Sequence, residues 1–168
     1  MTETEFRELC RDISQALQLR DQDALYRHGQ VALDGVEIAL FFDADIAPDT
    51  LMCYVDLGKV NPYNRTETYQ SLLGLNLLSG SKTTGVYSLD PASGNAIFIV
   101  HFPHPERLDG KALARLLRDY TAQALAMRGG LLVHEEPARY GVNEPAASYR
   151  ADRMASEQTP LPDLADLV

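Results

Sequence analysis

The sequence predicts an α+β fold in the order α-β-β-β-α-β-β-α, a twisted antiparallel sheet with three helices. Three observations point to it. The hydrophobic period switches between 3.6 and 2 along the chain. Asp34 and Gly35 stand between two β-type runs, the strongest short-range hairpin signal. Thr68 to Gly80, TYQSLLGLNLLSG, reads as a short helix with leucines on nearly every side, so it must be covered twice. Its own sheet supplies one cover. A second copy of the chain is the simplest second cover, because two-fold dimers are the commonest oligomers.

The first helix is expected from about Thr4 to Leu19, where Phe6, Leu9, Cys10, Ile13, Ala16 and Leu17 recur on one face. Thr2 and Glu5 have capping-box spacing, and Asp21 to Asp23 read as the exit loop. QVALDGVEIALFFD then forms the hairpin, and TLMCYVDLG, after Pro48, a third strand. Alternation places Val36, Ile38, Leu40, Phe42, Leu51, Cys53, Val55 and Leu57 on one face. Ala39, Phe41, Met52 and Tyr54 fall on the other. A sheet with one face in water should alternate with polar residues, so this second apolar set asks for a cover.

Asn61 and Pro62 break the strand, Thr66 or a neighbour can cap the leucine-rich helix, and Gly80 can stop it. TTGVYSLD and NAIFIVHF are two more strands, joined through Asp90, Pro91, Ser93 and Gly94. The last helix carries Leu113, Leu116, Leu117, Tyr120, Ala124 and Met127, with Asp109 as N-cap and Gly129 and Gly130 at its end. A first domain is thus drawn over 1–132. Residues 133–168 are rich in Pro, Ala and Glu and read as a C-terminal tail that buries too little to order itself. Its terminal LPDLADLV reads as a frayed end or a short docking motif.

With 168 residues the chain can bury a real core, and 45% hydrophobic and 23% charged residues are ordinary for a globular protein. A net charge of −9 and a pI near 4.8 argue against nucleic acid or an anionic membrane as partner. The start, MTETEFRELC, lacks a basic run followed by an apolar one, so no signal peptide is expected, and no stretch has transmembrane length. Cys10 and Cys53 lie at apolar positions with no metal or redox spacing and read as buried thiols of a reducing compartment.

No catalytic, metal or cofactor constellation emerges. Ser79 to Gly85, SGSKTTG, places Ser81 before Lys82 where a phosphate loop needs glycine. His101 and His104, with Glu106 nearby, straddle a strand end and a proline turn rather than one face. Asp43, Asp45 and Asp49 lack the glycine and bidentate glutamate of a calcium loop. His28 and His134 stand alone.

The element order, the DG hairpin, YVDLGKV at the end of the third strand and LLGLN at Leu72 to Asn76 together resemble the Tir chaperone (CesT-like) family of class I type III secretion chaperones. TTGVYSLDPASGNAIFIVHF and LDGKALARLLRDYTAQA are similar to that family's last hairpin and helix, so the resemblance covers about Glu3 to Leu131. The tail is longer than the family's usual end. The resemblance implies a bacterial cytoplasmic homodimer, without enzymatic activity or cofactor, that keeps the N-terminal region of a secreted effector soluble and export-competent without ATP. It also implies a role in virulence and the secretion-apparatus ATPase as a further partner. The matching dimer helix would supply Tyr69, Leu72, Leu73, Asn76 and Leu77. Alternation nominates Ala39, Phe41, Met52 and Tyr54 as effector-facing, with Phe6 and Leu9 as exposed parts of the first helix. A regulatory adaptor of the same fold, or a small ligand-binding protein or enzyme with an unrecognised site, are the alternatives.

Overall fold

The computed structural model describes residues 1–79 and 85–129. Expectations for Gly80, Gly130, most of SGSKTTG, His134 and the tail over 133–168 lie outside the described residues. Helix α1 spans Glu3–Ala16, α2 Ala24–His28, β1 Gln30–Leu33, β2 Val36–Phe41, β3 Thr50–Lys59, α3 Arg65–Ser79, β4 Gly85–Leu89, β5 Asn95–Pro103 and α4 Gly110–Met127. The five strands form one antiparallel sheet in the order β1-β2-β3-β5-β4. The α+β class and the principal elements are as the sequence predicts.

Local chemistry sets the ends of these elements. The Glu5 amide donates to Thr2 Oγ1 at 3.3 Å and the Thr2 amide to Glu5 Oε2 at 2.6 Å, a complete capping box. Helix α1 stops earlier than its apolar pattern suggests. Gln18 turns left-handed (φ 60°), and the Leu19 and Gln18 amides donate back to the carbonyls of Ser14 and Gln15, which closes the helix in a Schellman-type stop. Helix α2, unforeseen in the sequence, is too short for periodicity to reveal; it buries Leu25 and ends on Gly29. At the β1–β2 hairpin both turn residues have positive φ, 49° at Asp34 and 79° at Gly35, the geometry that makes Asp-Gly favourable there.

One face of the sheet is covered by α1 and α4. The predicted set Val36, Ile38, Leu40, Phe42, Leu51, Cys53, Val55 and Leu57 is buried on that face, together with Phe98 and Val100 of β5. Leu113, Leu117 and Ala124 of α4 and Phe6, Cys10 and Ile13 of α1 complete the core. Leu116, expected on the same stripe, is exposed, and Thr121 takes a buried place instead with its hydroxyl bonded to the Leu117 carbonyl. The two helices approach closely at Gly110, where a Cβ would lie 2.5 Å from the Cβ of Asp12. Arg128, after α4, ties that helix to the strands: its guanidinium donates to the carbonyls of Leu57, Gly35 and Asp56 at 2.9 to 3.0 Å.

Candidate functional site

Among the described residues two apolar surfaces remain after the core is filled: the second face of the sheet and the outer face of α3. The pairing register builds the first. Phe41, Met52 and His101 form one row across β2, β3 and β5. The next row runs Gln30, Ala39, Tyr54, Ile99 and Val86 from β1 to β4. Phe41 and Val86 are 48% and 47% exposed, and Ala39, Met52, Tyr54 and Ile99 are half-buried. The Tyr54 hydroxyl donates weakly to Met52 Sδ at 3.5 Å. The four sheet residues nominated from alternation therefore lie together on one surface, away from the core. The comparable residues Ile97, Ile99 and Val86 were not nominated, although the same alternation in β4 and β5 carries them.

The expectation that Phe6 and Leu9 offer exposed surface is corrected. Each is only 7% exposed, because the stripe that makes α1 amphipathic is the one it turns into the core, and the Phe6 ring lies 5.4 Å from that of Phe42.

Helix α3 lies beside β4, the last strand of the sheet, and splits its leucines. Leu72 is buried in the chain's own core, as is Thr68. Leu73, Leu77 and Leu78 are 68%, 83% and 81% exposed. Tyr69 is half-buried and lines an apolar groove with Leu73, Tyr87 and Leu89. The Asn76 amide is committed within the chain: Nδ2 donates to the Tyr87 carbonyl at 2.9 Å and Oδ1 accepts from the Tyr87 amide at 2.7 Å. It thus occupies the free edge of β4 as a neighbouring strand would. Of the five residues assigned to a dimer helix, Leu73 and Leu77 stand free, Tyr69 is partly free, and Leu72 and Asn76 fix the helix to its sheet.

Polar chemistry is sparse by comparison. Among the described residues no group of three His, Cys, Asp or Glu side chains could hold a metal ion, and no buried side-chain polar atom lacks a hydrogen-bond partner. His101 is exposed on the open face, and His104 Nδ1 lies 3.6 Å from Glu106 Oε1 in an exposed turn. Burial pushes the thiols of Cys10 and Cys53 up to about 12, so neither is a nucleophile at neutral pH. No described helix is long and apolar enough to cross a membrane. The arrangement can bind apolar chains. Among the described residues no group is assembled to activate a water or a nucleophile.

Comparison with known proteins agrees with this geometry. A chain of the ExsC–ExsE complex superposes with a TM-score of 0.62 at 12% identity, over 79% of this chain and 97% of that one. A chain of the HopA1–SchA chaperone–effector complex gives 0.54 at 19% identity, over 76% and 96%. At these identities the likeness is one of fold. No curated protein matches the sequence. The model of the Tir chaperone protein (CesT) family matches residues 11–128, which take in the sheet and most of the helical layer, and the chain belongs to that family.

Proposed function

We propose that the protein is a homodimeric type III secretion chaperone that holds the N-terminal region of a secreted effector soluble and export-competent in the bacterial cytoplasm, without hydrolysing ATP. One observation carries the reading: a sheet whose second face holds an apolar patch across four strands and bears none of the described helices. That surface suits an extended client segment, whose apolar side chains settle on the face while family membership supplies the class of client. The HopA1–SchA structure, similar in fold, is of a chaperone–effector complex. No ATP site is part of the scheme; release would fall to the secretion apparatus and its ATPase.

The exposed leucines of α3 would form the seam between protomers, with Leu73 and Leu77 at its centre and Tyr69 beside them. A two-fold interface pairs the same patch on both copies, which a short apolar helix at one end of the sheet allows. Leu73 is exposed in the protomer, so a charge there is tolerated by the fold and penalised only at the seam.

Co-expression with fragments of candidate effectors, followed by size-exclusion light scattering, tests both parts. Leu73→Asp is expected to halve the particle mass, and a full-mass particle removes α3 from the seam. Phe41→Asp is expected to keep the dimer and lose the effector fragment. Undiminished co-purification would exclude the sheet face as the client surface.

A further inference from the structure

The open face is not uniformly apolar: its polarity changes from one end to the other. Beyond the row containing Ala39, Tyr54, Ile99 and Val86, one step along the same register brings Glu37, Asp56, Ile97 and Ser88 to the same side. The turn after β4 adds Asp90, whose amide donates to the Asn95 carbonyl. Glu37, Asp56 and Asp90 surround a shallow depression of about 130 Å³ floored by Ala39, Tyr54 and Ile97.

The three carboxylates differ in what they already hold. Asp56 accepts from the Gly58 amide at 2.6 Å and from Asn95 Nδ2 at 2.8 Å, and the Arg128 guanidinium stands 3.8 Å away. Asp90 accepts from the Ser93 hydroxyl and from the Ala92 and Ser93 amides, which hold its carboxyl below the usual carboxylate range without supplying an opposing charge. Glu37 is exposed, and neither it nor Asp90 makes an ion pair among the described residues. Lys59, past the bulge in β3, does not line the depression.

We infer that this face selects client segments in which apolar residues are followed by a lysine or arginine, the apolar part lying over Phe41, Met52 and Tyr54 and the cation entering the depression between Glu37 and Asp90. The inference rests on the proposed client role of the face and adds the chemistry of the segment it takes. Charge complementarity chooses the occupant. A surface that is apolar at one end and anionic at the other rejects acidic segments and orients basic ones, because a misplaced like charge costs more than a matched one gains. A second copy of the chain is a poor occupant, since it carries 24 acidic residues against 15 basic ones.

The test uses dye-labelled synthetic peptides in which a run of Val and Phe alternating with Ser is followed by Lys, Ser or Glu, titrated against the full-length protein by fluorescence anisotropy at two salt concentrations. The lysine peptide is expected to bind about tenfold tighter than the serine peptide, and the advantage to shrink with salt. Glu37→Lys should bring the lysine peptide down to the serine level, and Asp90→Asn, which keeps an acceptor oxygen for the turn, should do part of the same. Glu8→Lys, on α1 across the sheet, should change nothing. Equal binding of the lysine and serine peptides, or an equal loss in the Glu37 and Glu8 variants, overturns the inference. If Phe41→Asp weakens every peptide while Glu37→Lys weakens none, the client face stands and its charge selectivity falls. If Phe41→Asp leaves the serine peptide unaffected, the client face itself falls.

Discussion

On the helix-covered side of the sheet Leu40, Cys53 and Val55 are at most 3% exposed, while one residue away along the same strands Phe41 is exposed and Met52 and Tyr54 are only half-buried. Strand composition does not explain the difference, because both sets are apolar. The helices decide it. Helices α1 and α4 lie on the first face and bring Ile13, Leu113 and Leu117 to it, and α3 is committed beside β4 by Leu72 and Asn76. No described helix remains to cover the second face. Apolar side chains thus serve stability on one side of a strand and remain available for binding on the other.

Substitutions should separate the two faces most clearly in stability. Leu117→Ala, which empties space at a fully buried position against the sheet, is expected to lower unfolding free energy by about 2–5 kcal/mol in chemical denaturation. Phe41→Ala on the open face should cost much less and leave the midpoint close to that of the parent. Equal losses would mean that the open face is covered within the protein. The contact between the covering helices offers a finer test. Gly110→Ala places a Cβ against Asp12 on α1 and should destabilise by about 1–3 kcal/mol, with peptide capture on the far face unchanged.

The smallest expected effect is one of pH on the helix-covered side. Hydrogen bonds from the Thr2 amide and hydroxyl hold the Glu5 carboxyl below its ordinary value. A carboxylate lowered in the folded state contributes stability above its unfolded pKa and loses it as the pH falls through the folded one. Amide-exchange protection at the start of α1, taken relative to the intrinsic rate at each pH, should therefore fall in acid, from the usual glutamate range downward, while protection in β2 and β3 is kept. Thr2→Ala, which removes the hydroxyl but keeps the amide, should weaken this pH dependence, and Glu5→Gln should abolish it.

The sequence carried the capping box at Thr2 and Glu5, the Asp34–Gly35 turn, the Asp109 cap and the buried set from Val36 to Leu57, because each depends on neighbours in the chain or on a period of two. It also showed that two surfaces were apolar to excess. It misplaced Phe6 and Leu9, since an amphipathic stripe reads the same whether it faces a core or a client. The double hydrogen bond from Asn76 to Tyr87 and the three carbonyls gathered by Arg128 were equally hidden, because their partners lie 11 to 93 residues away in the chain.

Local order and period thus determined which elements form and which residues are apolar, down to the unusual leucine content of α3. Only the tertiary structure decided which face each element spends on its own core. Burial is a property of how separate elements pack, and the same alternating strand satisfies its hydrogen bonds with either face turned inward.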